Sequence, residues 1–396
     1  MKSFKLLFLA SLILLPLTNY AQKPKAKTTS AKAKTSVKKE AVKQISFSEV
    51  FQNIETAKDY LDKGGNPNVK QNGETALVYC ICSHKPDIAE LLIHAKGIKV
   101  NDLSECHDTC SITRTAITVA TEYPRIIKLL INEGANPNFQ EVIHTKGAAN
   151  QGKITALMKA IIGGNHESSR ILVENGVKLD IQDAKGNTAL MHAANHLWAN
   201  GKDIGENIED AKLLIDNDAN LDLQNSDGMS ALMITASKGL PKTAKLLIGK
   251  GANIELQSAK DGTTALQWAV ANVQTEMIKQ LLKSGAKVDG TDNNGETALI
   301  QTAKCANLEL VELLLDKGAD VNYQSHTGQT PLMYAVSSTS NDKGNERIRI
   351  IKLLIKKGAQ LEIQDKNGNT ALYWAQHNND KETSDLLLAK GAKSIQ

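Results

Sequence analysis

Gly318-Ala319-Asp320-Val321-Asn322, followed by Gly328-Gln329-Thr330-Pro331-Leu332, is the stretch that decides the fold. Its second half is one copy of a Gly-x-Thr-Ala-Leu pattern anchored at Thr75, Thr115, Thr155, Thr188, Ser230, Thr264, Thr297, Thr330 and Thr370. Successive anchors are 40, 40, 33, 42, 34, 33, 33 and 40 residues apart. Length alone predicts two or three domains in 396 residues, but a repeat of this period sets its own architecture. Two positions after each anchor stands Leu77, Ile117, Leu157, Leu190, Leu232, Leu266, Leu299, Leu332 or Leu372. Five positions after stands Cys80, Ala120, Ala160, Ala193, Thr235, Ala269, Thr302, Ala335 or Ala375. A large apolar residue followed three later by a small one marks the packed stripe of a short helix whose neighbours approach closely.

A second apolar stripe follows each first one, as in Ile127-Lys128-Leu129-Leu130-Ile131 and Ala244-Lys245-Leu246-Leu247-Ile248. Each ends in a column of Gly64, Gly97, Gly134, Gly176, Gly251, Gly285, Gly318, Gly358 and Gly391, with Asp218 in the remaining place. Glycine there supplies the left-handed conformation that stops a helix, and Asp is one of the few other residues to tolerate it. The stretch from that Gly to the next Thr reads as an extended turn between helix pairs.

These residues resemble the ankyrin-repeat family: Gly328-Gln329-Thr330-Pro331-Leu332 with Gly318-Ala319-Asp320-Val321-Asn322 is close to its consensus. The resemblance implies an all-α solenoid of about nine helix-turn-helix repeats, starting near 72, 112, 152, 185, 227, 261, 294, 327 and 367. A half repeat, Phe47 to Val69, precedes them, so the repeat domain spans 45–396. One departure is consistent. The His that follows Thr-Pro-Leu in the family is replaced by Val78, Thr118, Met158, Met191, Met233, Gln267, Ile300, Met333 and Tyr373. Apolar packing is expected where that His would hydrogen-bond neighbouring turns.

The N-terminus has a different character. Lys2 and Lys5 precede an apolar run, Leu6 to Leu17, too short to span a bilayer, and Ala21 is a small residue where a cleavage site belongs. Residues 1–21 read as a signal peptide, so an exported, periplasmic or secreted protein is expected; the alternative is a cytoplasmic one if the signal is not used. Residues 22–44 carry eight Lys and little apolar surface, the composition of a disordered linker. The first 44 residues hold a net charge of +9 in a chain of net +4, leaving the remainder at −5. A nucleic-acid-binding body shows its basic patch on folded elements, so no nucleic-acid partner is expected. The linker's charge allows a weak, salt-sensitive contact with an anionic envelope surface. At 41% hydrophobic residues and one long apolar run, the chain is neither disordered throughout nor a multi-span membrane protein.

Four positions after the anchors stand Tyr79, Val119, Lys159, His192, Ile234, Trp268, Gln301, Tyr334 and Trp374. A column mixing Lys, Gln and Trp is no uniform core position, so it is expected half exposed along the concave side. Tyr79, His192, Trp268, Tyr334 and Trp374 are candidate contacts for a protein partner, since large aromatics anchor interfaces; partial burial between adjacent first helices is the other reading. Insertions lengthen the turns after Gly97 and Gly134 and the inter-helix loops His196–Asp203 and Ser337–Gly344. Trp198 in the first of those loops is a further candidate, although it could fold back over the edge of the solenoid.

Cys106 and Cys110 flank His107 and Asp108. An oxidising compartment favours a Cys106–Cys110 disulfide, with free thiols or a metal site using His107 as alternatives, but a structural zinc takes four ligands. His192 and His196 would share a helix face four apart, yet Ala193 follows where a metalloprotease has Glu. No catalytic motif, metal or cofactor is expected. The leading expectation is a monomeric, non-catalytic scaffold or inhibitor that binds a protein in the bacterial envelope or outside the cell, through its concave face and inserted loops. The alternatives are a metal-dependent or enzymatic protein using those His or Cys residues, and an envelope tether acting through the basic linker.

Overall fold

The computed structural model describes residues 46–106, 111–145, 148–199, 202–338 and 344–393. Each anchor precedes a first helix, from Ala76–Cys82 through Ala265–Ala271 and Ala298–Lys304 to Ala371–His377. In eight of nine repeats the anchor hydroxyl accepts the backbone N–H three residues on, as Thr264 does from Gln267. That bond satisfies one amide that every helix start otherwise leaves unpaired. Both predicted stripe columns are buried, with Leu77 to Leu372 at most 3% exposed and Cys80 to Ala375 at most 1%. First helices stack on first helices and second helices on second helices, giving two layers. The half repeat at the N-terminus carries two helices, Phe47–Val50 and Ile54–Asp62, the first a single turn holding Phe47 in the core. Among the described residues no helix is long and apolar enough to cross a membrane.

The two glycine columns do different work. Gly318, at the helix stop, has φ +87° and open space around the place a Cβ would occupy. It is required by conformation alone. Gly328, at the turn tip, has φ +79°, and a Cβ there would meet the Lys366 amide nitrogen of the next turn at 2.8 Å. Successive tips are bonded to one another, as Lys366 N–H donates to Thr327 O at 3.0 Å and His326 N–H to Asn294 O at 2.9 Å. Asp218, as expected, takes the left-handed conformation with φ +63°.

A second ladder runs along the other end of the turns. Four residues after each helix stop, Asn68, Asn101, Asn138, Asp180, Asp222, Glu255, Asp289, Asn322 and Glu362 each accept a backbone N–H from the following repeat. Nine joints are bridged this way at 2.7–3.1 Å, although donor and acceptor lie 31 to 40 residues apart in sequence.

The solenoid is helical as expected, and it carries small antiparallel strand pairs in the lengthened turns and in the insertion of repeat four, where loops were expected. A short hairpin, β1 (Lys70–Gln71) with β2 (Glu74–Thr75), opens the series. The lengthened turns then give β3 (Ser104–Cys106), β4 (Ser111–Arg114), β5 (Gln140–Thr145) and β6 (Ala148–Thr155), an antiparallel sheet in that order. β4 and β5 come from different repeats and join edge to edge, with Ile112 opposite Ile143. Ordinary turns already bond back on themselves and to the next tip, as Ser325 N–H does to Gln329 O and His326 N–H to Asn294 O, so added length is absorbed as paired backbone. The insertion of repeat four likewise pairs β7 (His196–Ala199) with β8 (Lys202–Glu206). In repeat eight the second helix is lengthened to Gly344–Lys356.

The core of the second-helix layer changes chemistry along the stack. Four residues before the buried leucine of each second helix stand Ile88, Ile126, Ser168, Asp210, Thr243, Met277, Leu310, Ile350 and Thr383, all buried. Repeats three, four and five thus place a serine, an aspartate and a threonine side by side in a column that is apolar in the repeats on either side.

Candidate functional site

The column four residues after the anchors is half-buried, except for Ile234, which is buried. Most of its polar heads are tied inward. Lys159 Nζ reaches Glu141 at 2.9 Å. His192 Nε2 lies 2.9 Å from an Asp183 carboxylate oxygen. Tyr334 donates its hydroxyl to Glu296 at 3.0 Å, with Lys304 Nζ 5.4 Å above its ring. Trp374 donates Nε1–H to Asp365 at 3.1 Å. Tyr79 leans on Phe47 with ring centres 5.2 Å apart.

These acceptors are in the turns. Asp183 and Asp365 each take two amides of their own turn, from Lys185 and Asn187 or from Asn367 and Asn369, and use the other oxygen for the column residue nine positions later. Burial pushes the Asp183 carboxyl up, but bonds from His192 and from the Asn187 and Lys185 amides outweigh it and hold it below the usual carboxylate range.

Repeat six breaks the pattern. Its turn has one extra residue and places Ser258 where repeats four and nine have an aspartate. Trp268 is therefore left with a buried Nε1–H that has no partner among the described residues. On the next first helix the buried Gln301 Oε1 also has none. A donor and an acceptor thus stand unpaired on adjacent helices, in the column singled out by sequence. Nearby in the chain, Val273 ends the first helix of repeat six with φ +56° and 54% of its surface exposed. A β-branched residue in that conformation is strained, and such strain concentrates at functional positions; repeats three and five place Gly164 and Gly239 in the left-handed conformation where their own first helices end.

Other sequence candidates fare differently. Trp198 lies in β7 opposite Asp203, and its side chain falls outside the described residues, as does Cys110 of the Cys106–Cys110 pair. Cys80, Cys82 and Cys305 are free thiols, and burial pushes the Cys80 thiol up to about 12. The shared helix face of His192 and His196 does not form: the helix ends at Ala193 and His196 opens a strand. The inserted sequence turns there into a hairpin, so the four-residue spacing loses its helical meaning. Among the described residues no three His, Cys, Asp or Glu side chains are arranged to hold a metal. Sequence reasoning missed Gln267. It accepts from the Thr264 amide at 3.0 Å and donates to the Glu296 carbonyl of the next turn at 2.7 Å, so this one side chain keeps the turn-to-turn wiring where apolar packing was expected.

Family models for ankyrin repeats match residues 46–141, 119–206, 196–292 and 274–344, and a further one matches 343–388. The chain belongs to the ankyrin-repeat family. Such repeats are generally protein-protein interaction modules without catalytic activity. Among solved structures, the chain is similar to the ankyrin repeat domain of Bcl-3, a member of the IkappaB protein family, at 24% identity and a TM-score of 0.50. That likeness covers 60% of this chain and 100% of the other, and it speaks for the fold alone. No curated protein matches.

Proposed function

We propose that this ankyrin-repeat protein is a non-catalytic binder that takes a polypeptide partner on its first-helix layer, centred on Trp268 and Gln301. The observation that carries the reading is the pair of unpartnered, buried hydrogen-bonding atoms on these neighbouring residues, in a column whose other polar heads mostly bond inward. A buried polar group without a partner costs free energy, so turning either side chain outward to meet the carbonyl and N–H of a peptide unit, or of an Asn or Gln side chain, is favoured. The indole adds the large, low-entropy contact area typical of interface hot spots.

Export is part of the proposal: residues 1–21 act as a signal and 22–44 as a basic spacer, both outside the described residues, and the repeats work as a monomer in the envelope or outside the cell, as scaffold or inhibitor. The basic start and short apolar run support that reading. Cross-linked capture from the native envelope fraction, with tagged full-length chain as bait, tests it. One stoichiometric protein is expected, together with a mature N-terminus at Gln22. Trp268→Ala should weaken its binding by about thirtyfold or more with helicity kept, whereas His192→Ala, whose head is tied to Asp183, should have a much smaller effect. Full binding by a folded Trp268→Ala chain would overturn the reading.

A further inference from the structure

The polar run in the second-helix layer meets the inserted hairpin of repeat four at its last residue, Glu206, which bonds Thr243. Asp210 is 1% exposed. One of its carboxylate oxygens is held by His166 Nδ1 and by Asn207 Nδ2, each at 2.9 Å. The other, Oδ1, is buried without a partner among the described residues, and so is the hydroxyl of Ser168, one helix earlier. A buried carboxylate oxygen lacking a donor is costly and calls for an N–H or a cation.

Asp210 forms part of the wall of a groove of about 970 Å³ between the helices His166–Glu174 and Ile208–Asp216. The groove's other carboxylates are not equivalent. Glu206, at the end of β8, accepts the Thr243 amide at 2.7 Å and its hydroxyl at 2.9 Å. Asp216 is held by Lys212 and by Lys250, whose ammonium groups pull its carboxyl down to about 2. Glu209, 3.7 Å from His166 Nε2, and Glu167 also line the groove, with no hydrogen bond to either carboxylate among the described residues. Arg170 is on the same wall. Ile208 and Leu213 supply apolar surface for an alkyl stem.

We propose that this groove is a pocket for a basic side chain, Lys or Arg, of a bound polypeptide, its stem lying on Ile208 and Leu213 and its cationic head drawing out the Asp210 carboxylate, whose unpaired Oδ1 is closed to solvent until a partner binds. The site is on the second-helix layer, independent of the first-helix column, and would give a partner a second, charge-selective anchor. Placing the cation against a desolvated carboxylate strengthens the contact relative to a surface ion pair.

The test uses N-acetyl-arginine methylamide and its lysine counterpart, with the neutral citrulline analogue as control, titrated into the full chain and followed by amide chemical shifts. Being small molecules, they report on the groove whether or not the first-helix layer takes a protein. Saturable shifts in repeats three and four are expected for the two cations and none for citrulline. Asp210→Asn should lower affinity about tenfold. Should circular dichroism show that variant unfolded, Glu209→Gln at the exposed rim decides, with an expected loss of a few-fold. Equal binding of citrulline, shifts that fail to saturate, or unchanged affinity in a folded variant would overturn the proposal.

Discussion

Repeats six to eight and repeats three to five build the same joint between second helices from opposite materials. In the former the buried column is Met277, Leu310 and Ile350; in the latter it is Ser168, Asp210 and Thr243. Neighbouring joints are the unit of stability in a solenoid. The apolar joint needs only its neighbours' shapes, since burial stabilises in proportion to area and asks for no direction. The polar joint depends on placed partners: Asn207 and His166 for Asp210, Glu206 for Thr243, and for Ser168 none among the described residues. The added hairpin of repeat four brings one of them, Glu206, into position. An insertion that looks peripheral has therefore become part of the core's chemistry.

Three substitutions sharpen or break this contrast. Leu310→Ala, in the apolar joint, should cost about 2–5 kcal/mol through lost burial and a residual cavity. It would be read as a lower urea midpoint together with faster amide exchange in repeats seven and eight. A loss under about 1 kcal/mol would mean the joint relaxes into the gap. Glu206→Ala should cost about 1 kcal/mol, the scale of a lost helix cap. Exchange should quicken first at the start of Pro241–Gly249; an unchanged exchange rate there would show that water replaces the carboxylate at no cost. Ser168→Ala should change stability by less than about 0.5 kcal/mol or raise it, because its buried hydroxyl has no partner among the described residues. A clear loss would reveal a partner and remove the distinction between the two joints.

Much of the first-helix layer was legible in the sequence. Thr330, Leu332, Ala335 and Gly318 fall at fixed offsets, and each position asks for one local property: a cap, bulk, smallness or a left-handed turn. The half-buried state of the Trp268 column followed from its mixed composition. What separates Trp268 from Trp374 did not, because the deciding partner lies nine residues upstream in the turn: Asp365 serves Trp374, and the equivalent place before Trp268 holds Ser258. The sheet was missed for a related reason. Ser111–Arg114 and Gln140–Thr145 are unremarkable alone and become strands by lying beside each other. The Ser168–Asp210–Thr243 run needed the second helices aligned across a 42-residue spacing that conceals their register.

The acceptor ladder from Asn68 to Glu362 makes the repeats interchangeable couplings. Asp222 receives the Asn253 amide, and Glu255 the Lys287 amide. Removing one whole period between them would offer Asp222 the Lys287 amide in the same geometry. Along this ladder each junction is thus a plug that fits the other sockets in the row, so a unit among the apolar joints can be gained or lost by recombination, whereas the Ser168–Asp210–Thr243 run ties repeats three to five to their own neighbours.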